Sequence, residues 1–309
     1  MTHFADRLAE AVRRCANPVL VGIDPRVDSL PTGMLAENNR TDLAKAAEAY
    51  EQFSREVINV VAPLVPAGKP QAACFEQLGP AGMSALGEVI RYARQKGLLV
   101  ILDGKRNDIG STATAYARGY LGPQSAWQAD AMTVSPYLGD DSLTPFVEVA
   151  GEVGAGVFVL VKTSNPGGAM FQDLLIDGRP LYRHVADYVE RLASQTAGEC
   201  GYGCVGAVAG ATYPAQLDEL REAMPHTWFL VPGFGSQGAT ATDVAGAFDS
   251  KGLGAIVNSS RGIIFAYRRA PYAEQLGDAR WQEAVEAATR EMIEQLRDET
   301  PAGKLAGSG

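Results

Sequence analysis

Asp103, Lys105 and Asp108 stand in an Asp-x-Lys-x-x-Asp arrangement in the stretch LLVILDGKRNDIGSTA, directly after a buried apolar run. On an extended chain, residues two apart point the same way, so Asp103 and Lys105 are expected to share one face while Asp108 lies past the turn. A lysine kept protonated by neighbouring carboxylates can donate a proton to carbon or oxygen, and a carboxylate beside it would repel an anionic group on a substrate. The plain alternative is a solvated ion pair at a strand end. The preceding buried strand and the following small-residue turn favour chemistry. VLVGIDPR puts Asp24 just before a proline that stops the run, where its carboxylate could accept hydrogen bonds from sugar hydroxyls or cap the turn. Lys69, in AGKPQAACFEQ, reads on its own as a loop lysine.

Two late segments suit a phosphate group. In VPGFGSQGAT, Gly233, Gly235 and Gly238 would let backbone N–H groups approach an anion, and Gln237 can donate its amide. In AIVNSSRGI, Arg261 offers a charged fork to phosphate oxygens. VLVKTSNPGG supplies Thr163, Ser164 and Asn165, which could hydrogen-bond a polar planar ring or simply build a turn. Lys162 beside them is a rival nucleophile of the Schiff-base type.

These residues close short β-branched apolar runs that alternate with amphipathic segments along the whole chain. The expected strands are Pro18 to Asp24, Ala72 to Leu78, Leu98 to Asp103, Ala131 to Pro136, Gly156 to Thr163, Val205 to Thr212, Trp228 to Gly233 and Gly254 to Ser259. Their near-continuous hydrophobicity suits parallel strands buried on both faces. Between them, TDLAKAAEAYEQFSREVINVV and LYRHVADYVERLASQ carry apolar residues at three-to-four spacing, and ARWQEAVEAATREMIEQLRD closes the pattern. Such alternation predicts a single (β/α)8 TIM barrel over residues 1–298, whose chemistry sits at the C-terminal ends of the strands and whose phosphate site follows strands seven and eight. NPGGAMFQDLLIDGRP is too long for a simple connection and is expected to be an ordered active-site loop. The tail, residues 299–309, is expected to be disordered.

Lys plus Arg number 27 against 36 Asp plus Glu, a formal net charge of −9 over 309 residues, so nucleic acid would be repelled and any bound anion is small and locally held. The four cysteines have no redox or zinc spacing, and the three histidines are not spaced as ligands. MTHFADRLAEAVRRCANP is unlike a signal or transit peptide, and no apolar run is long enough to span a bilayer, so the expected setting is the cytoplasm.

The motifs together resemble the orotidine 5'-monophosphate decarboxylase family, in its longer bacterial branch, which is similar to the malarial-type enzymes. FADRLAEAV, VGIDPR, KPQAACFE, DGKRNDIGSTA, VKTSNPG, VPGFGSQG and VNSSRGI carry the resemblance across nearly the whole chain. It implies a (β/α)8 homodimer with no metal or organic cofactor, converting orotidine 5'-monophosphate to UMP and carbon dioxide. It also implies a charged tetrad of Lys69, Asp103, Lys105 and Asp108, with Lys105 as proton donor and Asp103 next to the substrate carboxylate. By the same resemblance Asp24 and Lys69 contact the ribose, Asp108 and Thr112 reach into the partner's site, Gln237 and Arg261 hold the phosphate, and Thr163 and Ser164 sit near the pyrimidine. Gly104 and Asn107 depart from the Ala and Gly frequent there. Magnesium-dependent sugar-phosphate relatives of the same barrel, a Schiff-base aldolase and a silent phosphate-ligand binder are the competing readings.

Overall fold

Apolar runs buried along their whole length need neighbours on both faces, and the computed structural model, which describes residues 2–235 and 237–307, supplies them as a closed barrel. The barrel strands are β1 (Val19–Ile23), β2 (Ala67–Pro70), β3 (Leu99–Arg106), β4 (Ala131–Val134), β5 (Gly156–Lys162), β6 (Val205–Ala209), β7 (Phe229–Val231) and β8 (Ala255–Ser259). Each pairs in parallel with the next in sequence, and β8 closes onto β1 through Val19 to Val257 and Val21 to Ser259. This is the (β/α)8 architecture expected from the alternation of runs and helices.

The helices form where the apolar stripe lies. Leu43–Val61 starts at Asp42, whose side chain accepts from the backbone N–H groups of Ala44 and Lys45 at 3.0 and 3.1 Å, and it buries Tyr50, Phe53, Val57 and Ile58 against the barrel. Leu181–Gln195 and Trp281–Glu299 occupy the positions their periodicity predicts. The first helix, Phe4–Cys15, covers the N-terminal end of the barrel: the Phe4 ring meets Phe158 edge-on with centroids 6.0 Å apart. A Cβ on Gly156 would lie 2.2 Å from the Phe4 ring, so only glycine lets the helix approach this closely.

Two expectations are corrected. The second strand is not Ala72 to Leu78 but Ala67–Pro70, and Ala72–Glu76 is a short helix. Pro70 has no N–H to extend the ladder, and the Ala-rich segment beyond it favours a helical turn. Lys69 therefore lies on the strand itself, opposite Gly22 of β1. The tail is also ordered: Pro301–Gly307 forms 3-10 turns with Ala302 and Leu305 buried. It folds back on the loop before β8, where Lys304 donates to the Ser250 carbonyl at 2.9 Å, so a hydrogen bond and the burial of two apolar side chains both work against the entropy cost of ordering it. Ser308 and Gly309, the rest of the expected disordered tail, lie outside the described residues.

The segment after β5 is ordered, as expected of an active-site loop: a 3-10 turn at Pro166–Gly168, a helical turn at Ala169–Gln172, and a hairpin pairing Leu175–Ile176 with Arg179–Pro180.

Candidate active site

The C-terminal ends of the strands enclose a pocket of about 680 Å³. Its floor is an ionic network. β2 presents Lys69 and β3 presents Asp103, and the Lys69 ammonium donates to Asp103 Oδ2 at 2.7 Å with both side chains buried. Lys105 donates to Asp103 Oδ1 at 2.6 Å and remains about half exposed toward the pocket. The expected common face of Asp103 and Lys105 is therefore present, but a plain strand does not make it. The β3–β4 register shifts between Leu102 and Arg106, and Lys105 takes a left-handed backbone conformation with φ of 44°. For a residue with a Cβ that conformation is sparsely populated and must be held by its surroundings.

Thr133 on β4 does part of the holding. Its Oγ1 accepts from the Lys105 backbone N–H at 2.9 Å and donates to Asp103 Oδ1 at 3.0 Å. Gln71 adds a fourth donor to Asp103, 3.1 Å from Oδ2. Burial alone would raise the Asp103 pKa, but Lys69 and Lys105 outweigh it and hold the carboxyl far below the usual carboxylate range. Burial opposes charge on Lys69 as well, yet the carboxylates of Asp103 and Asp24 raise its pKa above the ordinary lysine value. The network thus keeps a carboxylate ionised beside an exposed ammonium.

Asp24, at the end of β1, lines the same pocket with Oδ1 buried and unpartnered among the described residues. Asn258 Oδ1 and Ser260 Oγ are likewise buried without a partner. They sit on the adjoining β8 end, where a Cβ on Gly22 would strike the Ser260 side chain at 2.6 Å. Buried polar atoms left open toward a cavity are poised for polar groups of a ligand.

At the other end of the pocket lie Thr163, Ser164, Gly233, Gln237 and Arg261. Gly233, with φ of 107°, brings the loop after β7 against Ser164 and Gln237. The Arg261 side chain has no hydrogen-bond or ion-pair partner among the described residues, an open guanidinium at the mouth of an acidic protein. Gly235 lies with Arg261 in the cavity adjoining this pocket, and its N–H donates to the Ala239 carbonyl at 2.9 Å. Gly238 likewise spends its N–H inside the loop, on the Gly235 carbonyl. The glycines there shape the turn rather than all pointing N–H groups at an anion.

Asp108 and Thr112 do not reach the pocket of their own chain. Asp108 accepts from the Ile109 N–H at 2.9 Å, and Thr112 is exposed at the start of the helix Gly110–Tyr120. Lys162 also stays out, because it turns away from the pocket and pairs with Asp173.

A family model described as orotidine 5'-phosphate decarboxylase / HUMPS family matches residues 39–276. The chain belongs to that family. It is 56% identical over 301 residues to an orotidine 5'-phosphate decarboxylase of Rhodopirellula baltica, covering 96% of this chain and 100% of that protein. An orotidine 5'-phosphate decarboxylase of Caldicellulosiruptor bescii is 39% identical, covering 87% of this chain and 91% of the relative. The solved structure of Leishmania donovani OMP decarboxylase superposes with a TM-score of 0.75 at 33% identity, covering 96% of this chain and 98% of that one.

Within this decarboxylase-family pocket, sequence reasoning missed Gln71, Thr133, Asn258 and Ser260. Gln71 follows Lys69 by two positions, a signal hidden by assigning the strand too late. Thr133, Asn258 and Ser260 sit inside or just beyond runs read only as buried strand.

Proposed function

We propose that Lys105 is the proton donor of this chain's reaction and that the pocket holds the nucleotide along its length. The reaction is the conversion of orotidine 5'-monophosphate to UMP and carbon dioxide in pyrimidine biosynthesis. The phosphate lies against Gly233, Gln237 and Arg261, the ribose hydroxyls against Asp24 and Lys69, and the pyrimidine edge against Thr163 and Ser164. The substrate carboxylate faces Asp103. Breaking the C6–carboxylate bond releases carbon dioxide and leaves the electron pair on C6, where the ring does not delocalise it. The Lys105 ammonium stabilises that charge and then transfers its proton to C6, and the neutral amine regains a proton from water. Phosphate contacts far from C6 supply the binding energy that holds the substrate carboxylate against Asp103.

The single observation that carries this reading is the carboxylate of Asp103 gripped by two ammonium groups, one of them half exposed to the pocket. An absorbance assay of orotidine 5'-monophosphate in excess chelator, with Lys105→Ala alongside, tests it. Wild type should form UMP, and the variant should lose at least about a thousandfold in kcat. Turnover within tenfold of wild type in the variant would remove Lys105 from the donor role, and loss of wild-type turnover in chelator would favour a metal-dependent reading.

A homodimer completes the reading. Asp108 and Thr112 lie outside their own pocket, and nearby Ile109, Tyr137 and Leu138 are 52%, 76% and 48% exposed. A second copy covering this apolar rim would carry Asp108 and Thr112 into its neighbour's site. Sedimentation equilibrium showing only monomer at assay concentration would refute the shared site. No helix of the described residues is long and apolar enough to cross a membrane. The four cysteines are free thiols, which suits a reducing, cytoplasmic setting.

A further inference from the structure

Lys162 is 1% exposed, and a buried ammonium is costly unless it is paired. Its partner is Asp173, midway along the loop that follows β5, and the ammonium lies over two rings, with Nζ 4.6 Å from the Tyr213 centroid and 5.2 Å from that of Tyr182. A strand irregularity puts it there. The β5–β6 register slips between Leu160 and Lys162, so that Leu160 and Thr163, three residues apart, both face the pocket while Lys162 points away from it.

The neighbouring residues form a second tie. Gln172 Oε1 accepts from the Thr163 N–H at 3.0 Å, and Gln172 Nε2 donates to Thr163 Oγ1 at 2.8 Å. Two consecutive residues at the strand end therefore grip two consecutive residues midway along the loop, closing its first half, from Ser164 to Phe171, against the barrel. Phe171 and Gln172 line the pocket, and the Phe171 ring, half exposed, faces Tyr137 at 6.3 Å. The pair is lopsided, with Lys162 buried and the Asp173 side chain 43% exposed, so it ties a buried ammonium to the surface of the loop. What the ion pair adds is a directional attachment of the loop.

We propose that Lys162 and Asp173 are positioning residues, a latch that fixes the loop after β5 so that Phe171 and Gln172 wall the nucleotide pocket. This rests on the reading that the pocket is the nucleotide site. The step it serves is binding, because neither side chain reaches the Lys105 ammonium that carries the chemistry.

The decisive variant is the double substitution Lys162→Met and Asp173→Asn, which keeps volume and leaves no buried charge unpaired. The latch predicts a KM for orotidine 5'-monophosphate raised about tenfold with kcat within about twofold, the split that marks lost uniform binding. UMP affinity, read by calorimetry, should weaken by the same factor, with the melting temperature near that of wild type. Asp173→Asn alone, which still offers Lys162 an acceptor oxygen, should show a smaller rise, and it serves as the test if the double variant does not fold. Unchanged KM and UMP affinity in a folded variant would overturn the latch, as would a fall in kcat at constant KM. Arg261→Ala separates the two failures: if it too leaves UMP affinity unchanged, the pocket assignment is wrong, whereas weakening there with an intact double variant refutes the latch alone.

Discussion

Thr133→Val replaces a buried hydroxyl by a methyl of nearly the same shape and isolates what the threonine does for Lys105. Two hydrogen bonds disappear, one from the Lys105 backbone at 2.9 Å and one to Asp103 Oδ1 at 3.0 Å. A hydrogen bond to a charged group contributes about 1.5 to 3 kcal/mol, and a neutral one nearer 1 kcal/mol. A left-handed residue with a Cβ costs about 1 to 3 kcal/mol to maintain, so without its acceptor the Lys105 backbone has reason to relax. If about 2 to 3 kcal/mol of this is felt at the ammonium, kcat falls between about 30- and 150-fold. Binding of the phosphate end is remote from β4, so KM should change less than about threefold. Thr133→Ser keeps the oxygen and should recover most of the rate, which a packing defect would not. The assay is steady-state decarboxylation with melting temperatures measured alongside. A valine variant within about threefold of wild-type kcat would refute the argument that Thr133 holds the donor.

Further outcomes follow from the same geometry. Because Asp103 has a depressed pKa in the folded chain, its contribution to stability is present above the ordinary carboxylate value near ~4 and is lost as pH falls through the folded value. Lys69, with a raised pKa, contributes fully below the ordinary lysine value near ~10.4 and loses that contribution as pH rises through the raised one. Urea unfolding between pH 4 and 2 should therefore show wild type losing stability more steeply than Asp103→Asn, and parallel curves would contradict the assignment. Gly104→Ala should be neutral in kcat/KM and melting temperature, since the nearest atom the added Cβ meets is in the Arg106 side chain at 3.7 Å, an ordinary van der Waals contact. Gly233→Ala should raise KM, because φ of 107° is strained for alanine by about 1 to 3 kcal/mol. Leu305→Ala should destabilise by about 2 to 4 kcal/mol in chemical denaturation with KM unchanged, because the residue is buried in the terminal turns and distant from the pocket.

The barrel was legible because a parallel strand buried on both faces leaves an apolar run and a covering helix leaves a stripe, two local periods that need no knowledge of partners. Seven of the eight runs became strands where expected, and the residues closing them, Asp24, Asp103, Lys105, Thr163 and Arg261, were readable as chemistry from type and position. β2 escaped because Ala67 and Gly68 are strand only by virtue of their neighbours β1 and β3, whereas the Ala-rich segment after Pro70 looks more regular than it is. The ordered tail escaped for a related reason: small residues have no local preference, and only the surface they meet decides whether they pack.

The sequence by itself determined the alternation of runs and helices, the acidic balance and the identity of the charged groups, because these depend on residue type and local spacing. Tertiary structure alone decided which donors join Lys105 on Asp103, since Lys69 on β2, Gln71 just past it and Thr133 on β4 meet there only when the barrel closes. It also decided that Lys162 serves the loop rather than the pocket, because a one-residue register slip between strands reverses which side chain faces inward, and no local pattern records it.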